Sequence, residues 1–362
     1  MSKLFSAHQI KDLQLNNRVV MAPMTRSRAI NNIPNDFMAL FYAQRADAGL
    51  IITEGTSPSP NGLGYPRIPG IFSAHQIDGW KKVTNAVHQK GGKIFLQLMH
   101  TGRVTHPDNL PQGAQVLAPS AVRLEVTKMW VDGKGLLDIP APKAMTKEEV
   151  YKTIEEYVQA SRLAVEAGFD GVEIHGANGY LVKQFLNPFT NTRTDEFGGS
   201  IENRSRFLLE VVERVAKAIG KEKVGLRISP YGQYNETPQY AEAEDTYLYL
   251  AKNLNNLGIA YLHINDQSAP GEPHGLAKAI RKIFANTIII CGGYDVEKAE
   301  VALRNNDADL VSFARPFIAN PDLVNRYKNR LPLNQPKFDL LYTPGAEGYT
   351  DYPVFEDMHI LH

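Results

Sequence analysis

Three side chains that could work on a carbonyl compound, His175, Asn178 and Tyr180, stand within six residues of one another in Gly171-Val-Glu-Ile-His-Gly-Ala-Asn-Gly-Tyr180. Imidazole and carboxamide groups can donate hydrogen bonds to an oxygen that gains negative charge, and a tyrosine two residues further on can supply a proton. A phenol has an ordinary pKa near 10, so it stays protonated at neutral pH and can act as an acid toward a strongly basic carbanion. The glycines between these residues allow backbone and ligand to approach closely. The apolar run that precedes them reads as a buried strand ending at a site.

Such a constellation needs a scaffold, and the chain is long enough to build one. It has 362 residues without a composition break, which is expected to form a single elaborated domain over 1–362. Lysine plus arginine balances aspartate plus glutamate at 39 each, so there is no electrostatic footprint for nucleic acid or an anionic membrane. Small molecules are the expected partners, with the protein itself a monomer or homodimer. Cys291 is the only cysteine, which excludes an intrachain disulfide and a cysteine-ligated iron–sulfur cluster. With no secretory signal and no apolar run near the roughly 18 residues of a membrane span, the expected location is cytoplasmic.

Eight short apolar runs recur, at 18–24, 49–54, 93–99, 169–175, 224–229, 260–265, 287–291 and 309–314. Runs such as Thr287-Ile-Ile-Ile-Cys291 are apolar at successive positions, as in parallel strands covered on both faces. Between them lie helical patterns. Thr146-Lys-Glu-Glu149 is a capping box ahead of Val150, Ile154, Val158 and Val165, with Gly168 at the expected C-terminal cap; 200–220 repeats the pattern before Gly220. Alternation of this kind predicts an α/β fold, a (β/α)8 TIM barrel, for which roughly 250 residues is typical. The largest interruption, 101–144, is expected to cap the mouth after strand three, with a hairpin around 129–137 turning at Asp132-Gly133. A second hairpin near 4–15 is expected to plug the bottom.

Function in such barrels gathers at the C-terminal ends of the strands. There the sequence places Thr25, Glu54 and Gly55, Gln97 to His100, His175 to Tyr180, Arg227, Asn265 and Asp266, Gly292 and Gly293, and Arg315. The set is rich in donors but holds no nucleophile–base pair and no grouping with metal-ligand spacing. Arg227 lies within an apolar strand and needs a partner. Gly292-Gly293 and Arg315, following strands seven and eight, fall where these barrels often bind phosphate.

Several long motifs carry a resemblance across nearly the whole chain. Met21-Ala-Pro-Met-Thr-Arg26, Gln97-Leu-Met-His-Thr-Gly-Arg103, His175-Gly-Ala-Asn-Gly-Tyr180, Phe197-Gly-Gly-Ser-Ile-Glu-Asn-Arg204 and Gly345-Ala-Glu-Gly-Tyr-Thr-Asp-Tyr-Pro353 together resemble the Old Yellow Enzyme family of flavin-dependent ene-reductases. The resemblance implies a non-covalent FMN at the barrel mouth, reduced by NADH or NADPH and reoxidised by an electron-poor alkene in ping-pong fashion. Nitro compounds and nitrate esters are further expected oxidants.

The resemblance also assigns roles. Thr25 meets the flavin C4 carbonyl, Gln97 reads the pyrimidine edge, and Arg227 lies beside N1 and the C2 oxygen, where a cation favours the reduced cofactor. Pro23, Met24 and Gly55 supply backbone contacts to the ring. Gly293 and Arg315 correspond to a phosphate clamp, with Gly292, Phe313 and Ala314 as further cofactor contacts. His175 and Asn178 hold the acceptor's oxygen, Tyr180 gives the proton, and Tyr65 and Tyr342 rim the pocket. Met99 stands where many relatives have tryptophan, which predicts a roomier pocket.

Competing readings fare less well. A dienoyl-thioester reductase would carry an iron–sulfur cluster and further domains. An aldolase or isomerase barrel would place a lysine or carboxylate base at the mouth. A non-catalytic flavin-binding protein remains as the alternative, distinguished by colour without turnover. Cys291 reads as a small core residue.

Overall fold

The computed structural model describes residues 2–266 and 275–356. Eight parallel strands close into a barrel: β1 (Val19–Met21), β2 (Leu50–Ile52), β3 (Ile94–Leu98), β4 (Gly171–Gly176), β5 (Val224–Ile228), β6 (Tyr261–Asn265), β7 (Thr287–Cys291) and β8 (Leu310–Phe313). Each pairs with its successor and β8 returns to β1. Every expected run forms a barrel strand, because helices cover the outside and packed side chains fill the inside, and both faces therefore demand apolar residues.

The helices start and stop where local chemistry directs. Thr146 and Glu149 cap helix Lys147–Glu166 reciprocally, with Glu149 N donating to Thr146 Oγ1 at 3.2 Å and Thr146 N to Glu149 Oε2 at 2.8 Å. Helix Ile201–Ile219 ends at Gly220, whose φ is +95°. A capping box that sequence inspection overlooked joins Ser73 and Gln76 at the start of helix Ala74–His88. The faces of these helices bury leucine, valine, isoleucine and aromatic side chains against the barrel.

A separate apolar cluster fills the lower barrel: Val20, Leu50, Ile52, Phe95, Tyr261, Ile289 and Leu310, joined by Ile10 and Leu15. Those last two come from the hairpin of His8–Ile10 and Leu13–Leu15, which plugs the bottom as expected. The rings of Phe95 and Tyr261 meet at 5.6 Å between centroids. Glycines make room for them: a Cβ on Gly171 would lie 2.5 Å from the Phe95 ring, and one on Gly225 only 2.1 Å from that of Tyr261. No other residue fits at either position without displacing an aromatic ring.

After β3, Lys128–Val131 pairs antiparallel with Gly135–Asp138 around a turn that contains Asp132 and Gly133. The C-terminal segment is tied down beside it. The Arg28 guanidinium donates to the carbonyls of Arg26, Leu340, Leu341, Gly345 and Glu347, and Tyr349 stacks on Phe41 with centroids 4.1 Å apart. None of the described helices is long and apolar enough to cross a membrane.

Candidate active site

Strand alternation sends every second side chain into the barrel, and above the aromatic layer these side chains turn polar. His175 is in register with Arg227, Arg227 with His263, and Glu173 with Gln97. Glu173, wholly buried, accepts from Gln97 Nε2 at 2.8 Å through Oε1, and its Oε2 lies 2.9 Å from His263 Nδ1. Burial opposes a charged imidazole, yet the Glu173 carboxylate prevails and raises His263 above its ordinary pKa.

Arg227 approaches Cys291 Sγ at 3.7 Å through Nη2, while its buried Nε has no partner. Burial works to raise the Cys291 thiol, but a hydrogen bond with His263 and the Arg227 charge bring it down to about 7. Cys291 is therefore a core residue by burial and a polarised one electrostatically, which its apolar sequence surroundings did not reveal.

His175 is buried, its Nδ1 is unpartnered, and burial together with the charges of Arg227 and His263 holds its pKa well below the usual value. Its imidazole is thus neutral, able to donate one hydrogen bond. The ring lies 5.2 Å from that of Tyr180. Tyr180 immediately precedes helix Leu181–Leu186, and its hydroxyl is 3.0 Å from that of Tyr65. Burial raises the Tyr180 pKa, opposed by hydrogen bonds from Tyr65 and Asn235. Asn178 has a positive φ of +57° and is held at both backbone groups: its N–H donates to Ser229 Oγ at 2.8 Å and its carbonyl accepts from Asn235 Nδ2 at 2.7 Å.

A cavity of about 1020 Å³ opens above, bringing Thr25, Tyr65, Tyr180 and Tyr342 together beneath Met129, Trp130 and Leu136 of the hairpin. Met99 is not among the residues lining it; its buried side chain packs with Leu63 and Ile68, and a Cβ on Gly55 would meet its sulfur at 2.5 Å. Pro23 and Met24 lie half-buried in the segment after β1. Gly292 and Gly293 follow β7 with φ of +131° and +74°; a Cβ on Gly292 would fall 1.8 Å from the Asp266 carbonyl oxygen. Phe313 ends β8, Ala314 precedes helix Arg315–Ala319, and Arg315 is exposed at its start.

Sequence inspection missed Glu173, His263 and Lys183. The first two carried a signal, since each is a charged or titratable residue inside an apolar strand, as Arg227 is. Lys183 carried none: it is buried, donates to the Ser229 and Gly232 carbonyls at 2.6 Å each, and is pushed down to about 7 by burial.

A rim that offers donors and a cation, with its thiol buried and its lysine engaged by backbone carbonyls, suits transfer of an electron pair through a bound cofactor, as in cofactor-dependent (β/α)8 oxidoreductases. Comparison with known proteins narrows this. Residues 3–334 match the NADH:flavin oxidoreductase / NADH oxidase family. A probable flavin mononucleotide-dependent alkene reductase of Leishmania infantum is 42% identical over 94% of this chain and 94% of its own length. The structure of morphinone reductase in complex with tetrahydroNAD superposes with a TM-score of 0.94 at 45% identity, covering 99% of both chains. An Old Yellow Enzyme homologue from Zymomonas mobilis gives 0.93 at 40% identity, covering 97% of this chain and 99% of that one. The chain belongs to the NADH:flavin oxidoreductase family, in its Old Yellow Enzyme group. FMN is its cofactor and a nicotinamide its reductant.

Proposed function

We propose that this protein is an ene-reductase that uses NADH or NADPH to reduce the C=C bond of α,β-unsaturated carbonyl compounds, with nitroalkenes and nitrate esters as further oxidants. The observation that carries the reading is the convergence of a neutral buried His175, an anchored Asn178 and a protonated Tyr180 at one barrel mouth.

The residues suit FMN. The unpartnered Nε of buried Arg227 is a donor awaiting an acceptor, and Thr25 and Gln97 bring a hydroxyl and a carboxamide suited to the pyrimidine edge. Pro23, Met24 and Gly55 would contribute backbone to the ring. Gly292, Gly293, Phe313, Ala314 and Arg315 would hold the phosphate end, where two left-handed glycines and a helix start expose N–H groups. When bound, FMN supplies the two-electron carrier between nicotinamide and alkene.

His175 and Asn178 donate to the acceptor's oxygen and stabilise the negative charge that gathers there, His175 from a buried position and Asn178 from a backbone anchored at both its groups. Tyr180 holds the proton destined for the α-carbon. Its raised pKa keeps the phenol protonated, and Tyr65 stands ready to hydrogen-bond the oxygen that has given the proton up. Tyr65 and Tyr342 border the substrate, and the hairpin of the 101–144 insertion covers it.

The test is optical. The purified, FMN-loaded protein should be yellow, lose its colour with NAD(P)H under anaerobic conditions and regain it with cyclohexenone. Colour that bleaches but does not return with any enone would identify a flavin-binding protein without alkene turnover.

A further inference from the structure

Asn178 can serve as a donor only if its carboxamide points the right way, and the backbone bonds that anchor it leave the amide free to turn over. What fixes the amide lies two strands away, across β5. Asn265, the last residue of β6 and buried, donates from Nδ2 to Asn178 Oδ1 at 3.0 Å. That bond engages the oxygen of Asn178 and leaves its Nδ2 without a hydrogen bond among the described residues.

The opposite arrangement, with both amides reversed, is disfavoured. As they stand, Asn265 leaves Oδ1 unpartnered in the interior. Reversed, it would strand both hydrogens of its NH2 group there instead, and buried donors without acceptors are costly. Asn178 is otherwise braced from below, since the Ser229 hydroxyl that accepts its N–H also receives Lys183 Nζ at 3.2 Å. Asn265 thus decides the one remaining degree of freedom.

We propose that Asn265 is a positioning residue that turns the Asn178 carboxamide nitrogen toward the ligand, so that the site selects ligands presenting an oxygen acceptor over ligands presenting a hydroxyl donor. This rests on the reading that Asn178 grips the acceptor's oxygen.

Asn265→Asp offers the sharpest test, because a carboxylate only accepts: Asn178 would turn its NH2 group toward residue 265 and face the ligand with oxygen. The readout is binding of two unreactive probes, cyclohexanone and cyclohexanol, to the oxidised FMN-loaded enzyme by calorimetry. Asn265→Asp should weaken the ketone about tenfold or more while affecting the alcohol less, lowering the ketone-to-alcohol preference. Asn265→Ala, which removes the bias without reversing it, should give a smaller loss in the same direction. It should cause no further loss when combined with Asn178→Ala.

If Asn178→Ala weakens the ketone but neither Asn265 variant alters the preference, Asn265 has no orienting role and only this inference falls. If Asn178→Ala leaves ketone binding intact, the underlying assignment of Asn178 is itself wrong. Retention of FMN and an unchanged far-ultraviolet circular dichroism spectrum identify folded variants.

Discussion

The hydroxyl groups of Tyr65 and Tyr180 lie 3.0 Å apart, with their rings set edge to face at 6.2 Å between centroids. Tyr65 follows β2 in sequence and Tyr180 follows β4, so the contact joins two loops at the mouth. It gives the proposed acid a hydrogen-bonding neighbour at the atom that loses the proton.

Replacing Tyr180 with phenylalanine removes that acid and leaves the flavin contacts intact. Alkene reduction should slow by about 10²-fold or more, as general acid catalysis contributes on that scale. Reduction of the flavin by NAD(P)H should stay within a few-fold of wild type. Stopped-flow absorbance of the two half-reactions measures both; parallel loss in each would point to disturbed binding instead.

Met99 packs against Gly55 and an apolar cluster near the mouth. Tryptophan there must displace neighbours, and the space it takes can come only from the ligand's side or from the cluster. Met99→Trp should raise KM for 3-substituted cyclohexenones about tenfold and leave cyclohexenone nearly unchanged. Equal steady-state parameters for both substrates would refute a role for Met99 in pocket size.

His100 is buried, and burial lowers its pKa to about 3. Between pH 6.5 and about 3 the unfolded chain binds a proton at this position that the folded protein refuses. Stability owed to His100 is therefore present above 6.5 and lost as pH falls, at about 1.4 kcal/mol per unit once protonation of the unfolded state is complete. Urea denaturation of wild type and His100→Asn at pH 7 and pH 5 isolates this slope. The variant should gain on the wild type at the lower pH; a constant difference would show that the imidazole titrates freely in the folded state.

Arg28 gathers five carbonyls, four of them from the C-terminal segment that also carries Tyr342. Arg28→Ala should loosen that segment, speed its cleavage in limited proteolysis and raise KM more than it lowers kcat. The remaining carbonyls lose a charge-assisted partner, so destabilisation of about 1.5–3 kcal/mol is expected.

The barrel was readable because parallel strands demand unbroken apolar runs, and the rim because His175 and Arg227 break those runs with groups that need partners and Asn178 and Tyr180 follow directly after one. The partners themselves were not readable. Glu173 meets Gln97 and His263 only when strands far apart in sequence come into register. Arg28 and Lys183 bind backbone carbonyls, which leave no trace in residue identity. Asn265 was visible as a strand-end residue, but its bond to Asn178 depends on the end of β6 meeting the turn after β4 across an intervening strand.

The glycines beneath Phe95 and Tyr261 have an effect well beyond local packing. By letting two rings and the N-terminal hairpin fill the far end of the barrel, they turn the strand ends toward the cavity beneath the hairpin as the side from which a ligand arrives. On the proposed function, nicotinamide and alkene would both reach the flavin from that side, and a nicotinamide still in place there would keep the alkene out.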